Sequence, residues 1–366
     1  MLRRIAQTHC TNLLSGHSSA ALARKAALCD DAAITRKDCP MSRFTDLVRA
    51  SAAAVLSAAG LQLAHAQAAA TPSPQEIAAA IDAATPRGPL YTFEKNGKTH
   101  TLMGTLHIGK AAWFPMDWGV IAPLVGAQTL VMEANLADAN DLQSAYARYA
   151  LEPQGSPNWQ ALPKAVREKA SAVARELNFP ESEMLKQKPW MAALTLSLLV
   201  NVRDGYASDA GTEMFLTAVV TPRGTPIVAL EGFAKQLALF DGMNEPLKRE
   251  FVQQALEDIA SGKASQTVAE LVRAWESGQL GLLEAALLAE YDHESAPDRF
   301  FLDELITKRN REMAEKIDAL AADKRLFVGV GALHLAGKQG LVELLRAKGY
   351  TVKPALRGLE AKPKAR

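Results

Sequence analysis

"RLFVGVGALHLAGKQGLVELLRAKGYTVKPA", Arg325–Ala355, decides how this chain folds. The apolar run at its start reads as a strand that ends in Gly331-Ala332-Leu333-His334. An amphipathic stretch follows, Gly349 is placed to terminate that helix, and Tyr350 to Val352 supply a closing strand. The same order occurs far upstream. "LYTFEKNGKTHTLMGTLH", residues 90–107, offers an alternating strand, an Asn96-Gly97 turn of type I′, and a return strand that finishes in Gly104-Thr105-Leu106-His107. A helical stretch near Asp117 to Ala127 and the β-branched run "TLVMEAN", with Glu133 at its end, complete the unit. Two strand, Gly-x-Leu-His, helix, strand units therefore flank the chain.

Between them the sequence is mostly helical. "NWQALPKAVREKASAVARELNF" and "KPWMAALTLSLLVNV" space apolar residues by three and four, and "EPLKREFVQQALEDIASG" continues in that style. One strand interrupts, "TPIVALE", Thr225 to Glu231, and a long helix over about Asp298 to Ala322 precedes the final unit. The expected class is α/β. A central mixed, mainly parallel sheet would be formed by the N- and C-terminal flanks, with a large helical insertion between them.

The 366 residues are 48% hydrophobic and 22% charged with a net charge of +1, which gives ample core material and no basic excess for nucleic acid. From Met41 the chain reads "MSRFTDLVRASAAAVLSAAGLQLAHAQA": basic Arg43 and Arg49, an apolar stretch, then Ala64-His65-Ala66. That is a secretory signal peptide over 41–66, too short to span a membrane, so export to the periplasm or medium is expected. Residues 1–40 read as a mis-assigned extension ahead of the true start, 67–87 as a linker with one short helix, 88–358 as the α/β domain and 359–366 as a basic tail. Cys10, Cys29 and Cys39 all precede the signal, so the mature chain has no disulfide, thiolate ligand or cysteine nucleophile.

Four expected strands end in a chemically capable residue: His107, Glu133, Glu231 and His334. In open α/β sheets ligands bind beyond the carboxyl ends of the strands. Neighbouring parallel strands would bring all four to one edge. Past the signal the chain keeps only His100, His107, His293 and His334, so two of the four occupy the matched motifs. Two imidazoles with a carboxylate suit a divalent ion that activates water. A histidine at a strand end can equally serve only to bond the backbone, and the glutamates to cap helices. Gly104 and Gly331 allow a sharp turn or a close backbone approach where each strand ends.

From about Leu90 to Leu356 the chain resembles the TraB/GumN family, which includes the Tiki metalloproteases and carries paired Gly-x-x-His motifs. The resemblance rests on "GTLHIG", "TLVMEANL", "KPWMAALTLSLL", "GTEMFL", "PIVALEGFAKQLALFDG", "KRNREMAEKI" and "FVGVGALHLAGKQGLVELLRAKGYTV". It implies a fold like the erythromycin-esterase and ChaN-like group and hydrolysis dependent on a divalent metal, Mn, Co or Zn, held by His107, His334 and Glu133. Glu231 would stand close by, and Arg309 and Asn310 would match an Arg-Asn pair, the arginine binding a substrate carboxylate or an oxyanion. Glu213 would be a further ligand, a partner for Arg309 or a helix-start carboxylate. The substrate would be a peptide or small molecule. Two alternatives remain open: a metal-independent esterase-like hydrolase using the same histidines and glutamates, and a haem- or metal-binding protein without turnover.

Overall fold

The computed structural model describes residues 73–288 and 291–363. The extension, the signal peptide and the first residues of the expected linker lie outside the described residues. Helix α1 (Pro74–Ala83) starts on a capping box, with Ser73 and Glu76 bonding each other's backbone amides, and it buries Ile77 and Ile81. Its Asp82 accepts a hydrogen bond from Trp118 Nε1 at 2.7 Å, so the short helix in the expected linker is docked.

The hairpin forms as its sequence dictates. Strands β1 (Leu90–Lys95) and β2 (Lys98–Thr105) pair antiparallel about Asn96 and Gly97, whose φ values of 53° and 75° are those a type I′ turn requires. Asp117 then caps α2 (Trp118–Gly126), which leads into β3 (Thr129–Met132). The insertion follows, with α3 (Pro189–Arg203) and α4 (Thr212–Val220) before the short strand β4 (Ile227–Ala229). After it come α5 (Phe233–Asp241), α6 (Glu245–Ser261) and α7 (Lys263–Glu276). The expected long helix is present in three parts: a turn at Ala296–Phe300, a π-helical segment at Phe301–Lys308, and α8 (Arg309–Ala321). Strand β5 (Leu326–Gly331), α9 (Leu341–Ala347) and β6 (Thr351–Pro354) close the chain, Gly349 ending α9 with φ 87°.

The six strands are ordered β4-β3-β5-β2-β1-β6, and only β1 runs against the others. The C-terminal strand β5 lies between β2 and β3, so the two flanks interlock in one mixed, mainly parallel sheet. Its wholly apolar sequence explains that position: a strand covered on both faces reads as a continuous hydrophobic run. Phe93, Leu102, Val131 and Val328 meet Met313 and Ile317 of α8 and Leu341 and Leu345 of α9 in one core. The insertion has its own core around Trp190, Leu196, Val200 and Leu256.

Register is what assembles the site. Thr105 pairs with Gly331, while Met132 pairs with both Gly329 and Ala229. The chain therefore leaves β2, β3, β4 and β5 at one edge. The two Gly-x-Leu-His units diverge in their closing strands: β3 runs beside β5 and delivers Glu133, whereas β6 joins the far edge against β1. His100 belongs to the core instead, stacked on Phe93 at 4.8 Å, with its Nδ1 accepting from the Leu326 amide. No helix among the described residues is long and apolar enough to cross a membrane.

Candidate active site at the carboxyl edge of the sheet

Gly331 ends β5 with its amide donating to Glu133 Oε1 at 2.6 Å. A Cβ at Gly331 would stand 3.1 Å from that oxygen, so the glycine admits the carboxylate. Gly104 has a steric duty: a Cβ there would meet Pro89 Cγ at 2.6 Å and the Ala332 backbone at 3.0 Å. Neither neighbour is the flexible end of a side chain. Gly104→Ala is expected to cost about 1–3 kcal/mol, the usual penalty for overpacking, seen as a lower urea midpoint. An unchanged midpoint would mean the two segments separate freely.

Beyond Gly331 the chain turns through a short 3-10 segment, Ala332–Leu335, which buries His334. Its tautomer follows from its neighbours. Asn310 Nδ2 donates to the Gln339 carbonyl at 2.8 Å, so Asn310 presents Oδ1 to His334 Nδ1, 2.6 Å away. An oxygen can only accept, so Nδ1 carries the proton and Nε2 keeps a lone pair. That Nε2 lies 3.3 Å from Arg309 Nη1 and 3.6 Å from Glu133 Oε1.

Arg309 and Asn310 sit in the first turn of α8 on the face that carries Met313, Ala314 and Ile317 into the core. The guanidinium donates from Nε to Glu231 Oε2 at 2.8 Å, from Nη2 to Glu133 Oε2 at 2.6 Å and from Nη1 to the Leu305 carbonyl at 3.0 Å. With a further Nη1 hydrogen facing His334, a single Nη2 hydrogen is left of its five. Arg309 can therefore offer one bond to a carbonyl oxygen but no two-pronged clamp for a substrate carboxylate. Glu231 is further neutralised by Lys235 at 3.4 Å, and Lys235 also bonds Glu312.

His107 stands apart from this cluster in its chemistry. Its Nδ1 is 2.9 Å from Glu213 Oε1, which also accepts from Thr105 Oγ1 at 2.6 Å. Glu213 is held in the first turn of α4, where Thr212 bonds both the amide and the carbonyl of Leu106. It thus takes up the helix-start position, as partner of His107 and not of Arg309.

The electrostatics separate the two imidazoles. The Glu213 carboxylate at 2.9 Å raises His107 to about 9, with the His107 side chain 76% exposed so that solvent screens the pair. Burial, aided by the charges of Arg309 and His107, lowers His334 to about 4 against the opposing pull of Glu133. Burial also works against ionised Glu133, but His334, Arg309, His107 and the Gly331 amide overrule it and hold the carboxyl down to about 2. At neutral pH the site contains His107 protonated, His334 neutral and Glu133 ionised. Both histidines, Glu133 and Arg309 line one pocket of about 370 Å³.

The expected ligand set for Mn, Co or Zn, His107 with His334 and Glu133, does not fit a resident ion. No group of three histidine, cysteine or acidic side chains among the described residues is placed to hold a metal. The physical reason is Arg309, a cation already seated on the oxygens of Glu133 and Glu231 and against His334. Two site acceptors are left over, Glu213 Oε2 and Glu231 Oε1, each buried without a hydrogen-bond partner, but each carboxylate already faces a cation, His107 for Glu213 and Arg309 with Lys235 for Glu231.

Sequence reasoning did not single out Gln236, Thr105 or Gln339. Gln236 Nε2 donates to Glu133 Oε2 at 3.2 Å from α5, and nothing in an amphipathic helix distinguishes that glutamine from any exposed one. Thr105, inside the Gly-x-Leu-His motif, was within reach of a closer reading.

The profile of the TraB/PrgY/gumN family matches residues 89–354. Among curated proteins the chain is similar to the uncharacterized protein YbaP of Escherichia coli K12, 23% identical over 248 residues, or 67% of this chain and 87% of that one. The YbaP of Shigella flexneri is 23% identical over 258 residues, covering 70% and 90%. The metalloprotease TIKI2 of Xenopus tropicalis is 27% identical over 188 residues, 40% of this chain and 36% of that protein. No solved structure matches.

Proposed function

The chain belongs to the TraB/PrgY/gumN family, and on that premise we propose that it is a hydrolase whose two motif histidines divide the labour of acid and base. The observation that carries this reading is the pair of imidazoles lining one pocket in unlike surroundings, His107 against the Glu213 carboxylate and His334 buried beside Arg309, which drives their pKa values apart, up to about 9 and down to about 4. Groups driven apart in this way hold opposite protonation states at one pH, which is what concerted proton transfer needs.

In the reaction, His334 Nε2 takes a proton from water as the water oxygen bonds to the carbonyl carbon of a peptide or ester. The free Nη2 hydrogen of Arg309 stabilises the oxyanion. His107 then gives its proton to the departing amine or alkoxide as the scissile bond breaks, and solvent restores both histidines. Glu133 and Glu231 hold Arg309, Asn310 holds the tautomer of His334, and Glu213 keeps His107 charged.

The test is a pH–rate profile. His334 must be unprotonated, so activity rises with pH through about 4. His107 must be protonated, so activity falls through about 9. A bell with those limbs is expected, and Glu213→Gln should pull the alkaline limb down toward the ordinary histidine range because the anion that sustains it is gone. A profile without an alkaline limb would remove His107 from the reaction.

The metalloprotease name of the Xenopus relative favours a second reading, with a divalent ion at this edge, which would require Arg309 to give up the carboxylates it now holds. Assays in chelator and with added Mn, Co or Zn separate the two: full activity in chelator supports the first, and activity that requires an added ion supports the second. Export belongs to the same proposal. A mature chain beginning near Gln67, found by mass spectrometry of the periplasm or medium, supports it, and an intact Met41 in the cytoplasm opposes it.

A further inference from the structure

The pocket above the histidines is lined mostly by apolar side chains, with its polar groups gathered at the sheet edge. Leu106 leaves β2, Leu239 comes from α5, Leu271 from α7, and Phe301, Leu305 and Ile306 from the π-helical segment ahead of Arg309. Its charged lining groups are all engaged: Glu133 by Arg309, Arg309 also by Glu231, and His107 by Glu213. A cation entering here would find Glu133 already paired, and an anion would find only the one spare Nη2 hydrogen of an arginine that two carboxylates already neutralise. An apolar group loses nothing and gains burial.

We infer that this pocket selects an uncharged, apolar acyl or side-chain group next to the scissile carbonyl, an inference that rests on the hydrolase reading for its orientation but not for its existence. The polar edge handles the carbonyl, and the wall of the helical insertion measures the chain attached to it. The volume of about 370 Å³ admits a group of several carbons. The insertion would thus supply specificity while the sheet supplies chemistry.

Binding and turnover test this separately. Acetamide, butyramide and hexanamide are titrated into the protein by NMR, beside hexanoate and hexylammonium. Each buried methylene tightens binding roughly fourfold, so affinity should rise on the order of a hundredfold across the series, with both ions weaker than the neutral amide. Leu271→Asp should flatten the series. Leu271→Ala, a milder change that keeps the wall apolar, should weaken hexanamide several-fold. Equal affinity across the amides, or preference for either ion, overturns the inference. Turnover of 4-nitrophenyl acetate, butyrate and hexanoate is measured in parallel. Graded binding with no ester cleaved leaves the pocket inference standing and the hydrolase reading fallen. Cleavage at equal kcat/KM with flat binding does the reverse.

Discussion

His334→Ala is expected to lower kcat by about 10²- to 10⁴-fold, the span over which a positioned general base contributes. The expectation rests on the contacts behind the ring: the Gln339 carbonyl fixes Asn310, Asn310 fixes Nδ1–H, and Nε2 keeps a lone pair toward which Arg309 Nη1 now points from 3.3 Å and which an incoming water must take over. A second variant separates catalysis from packing. Asn310→Asp would set an anion 2.6 Å from Nδ1, where it favours the imidazolium and raises the pKa of His334. The acid limb of the rate profile should then move upward from about 4, because a higher pH is needed to empty Nε2. A structural role alone would move the unfolding midpoint and leave that limb in place. Full activity in His334→Ala would end the proposal.

Much of this edge was readable before any coordinates, and the reasons differ by residue. His107, Glu133, Glu231 and His334 could be placed together because a parallel sheet converts sequence position into spatial position: residues one to three places past the last paired one emerge at the carboxyl edge. The hairpin was equally legible, since Asn96-Gly97 permits few other conformations. What the residues did to one another was not legible. Arg309 lies in the run "KRNRE", which as sequence reads as a solvated charge, yet it is buried between two carboxylates. Its neighbours arrive from β3, β4 and β5, and no local pattern records contacts between residues so far apart in the chain. The metal expectation met the same difficulty, because the carboxylates were counted as free ligands and sequence gives no sign that Arg309 is seated on them. Glu213 gained importance by the same kind of long-range contact, reaching His107 from the start of α4.

Arg309→Met is expected to destabilise the fold by about 3–5 kcal/mol, since it strands two buried carboxylates that the guanidinium now satisfies. Glu231 retains Lys235 at 3.4 Å, so most of the cost should fall on Glu133. Adding Glu133→Gln should therefore recover a large part of the loss, although hydrolysis stays impaired because the spare Nη2 hydrogen is gone. The sign of the pH dependence distinguishes this from simple loss of packing. In the native protein the Glu133 carboxyl is depressed to about 2, below its unfolded value. The stability it contributes is complete above the unfolded pKa and is lost as pH falls toward about 2. Without Arg309, one of the charges that hold that carboxyl down is gone, so it titrates higher in the folded variant than in the wild-type fold. Acidification through the raised pKa protonates the variant's carboxyl first, so the deficit of Arg309→Met against wild type should shrink between neutral pH and about pH 3. Urea unfolding at the two pH values measures the difference. A deficit that stays constant would assign the loss to the packing of the arginine stem, and the carboxylates would then be satisfied by some group other than Arg309.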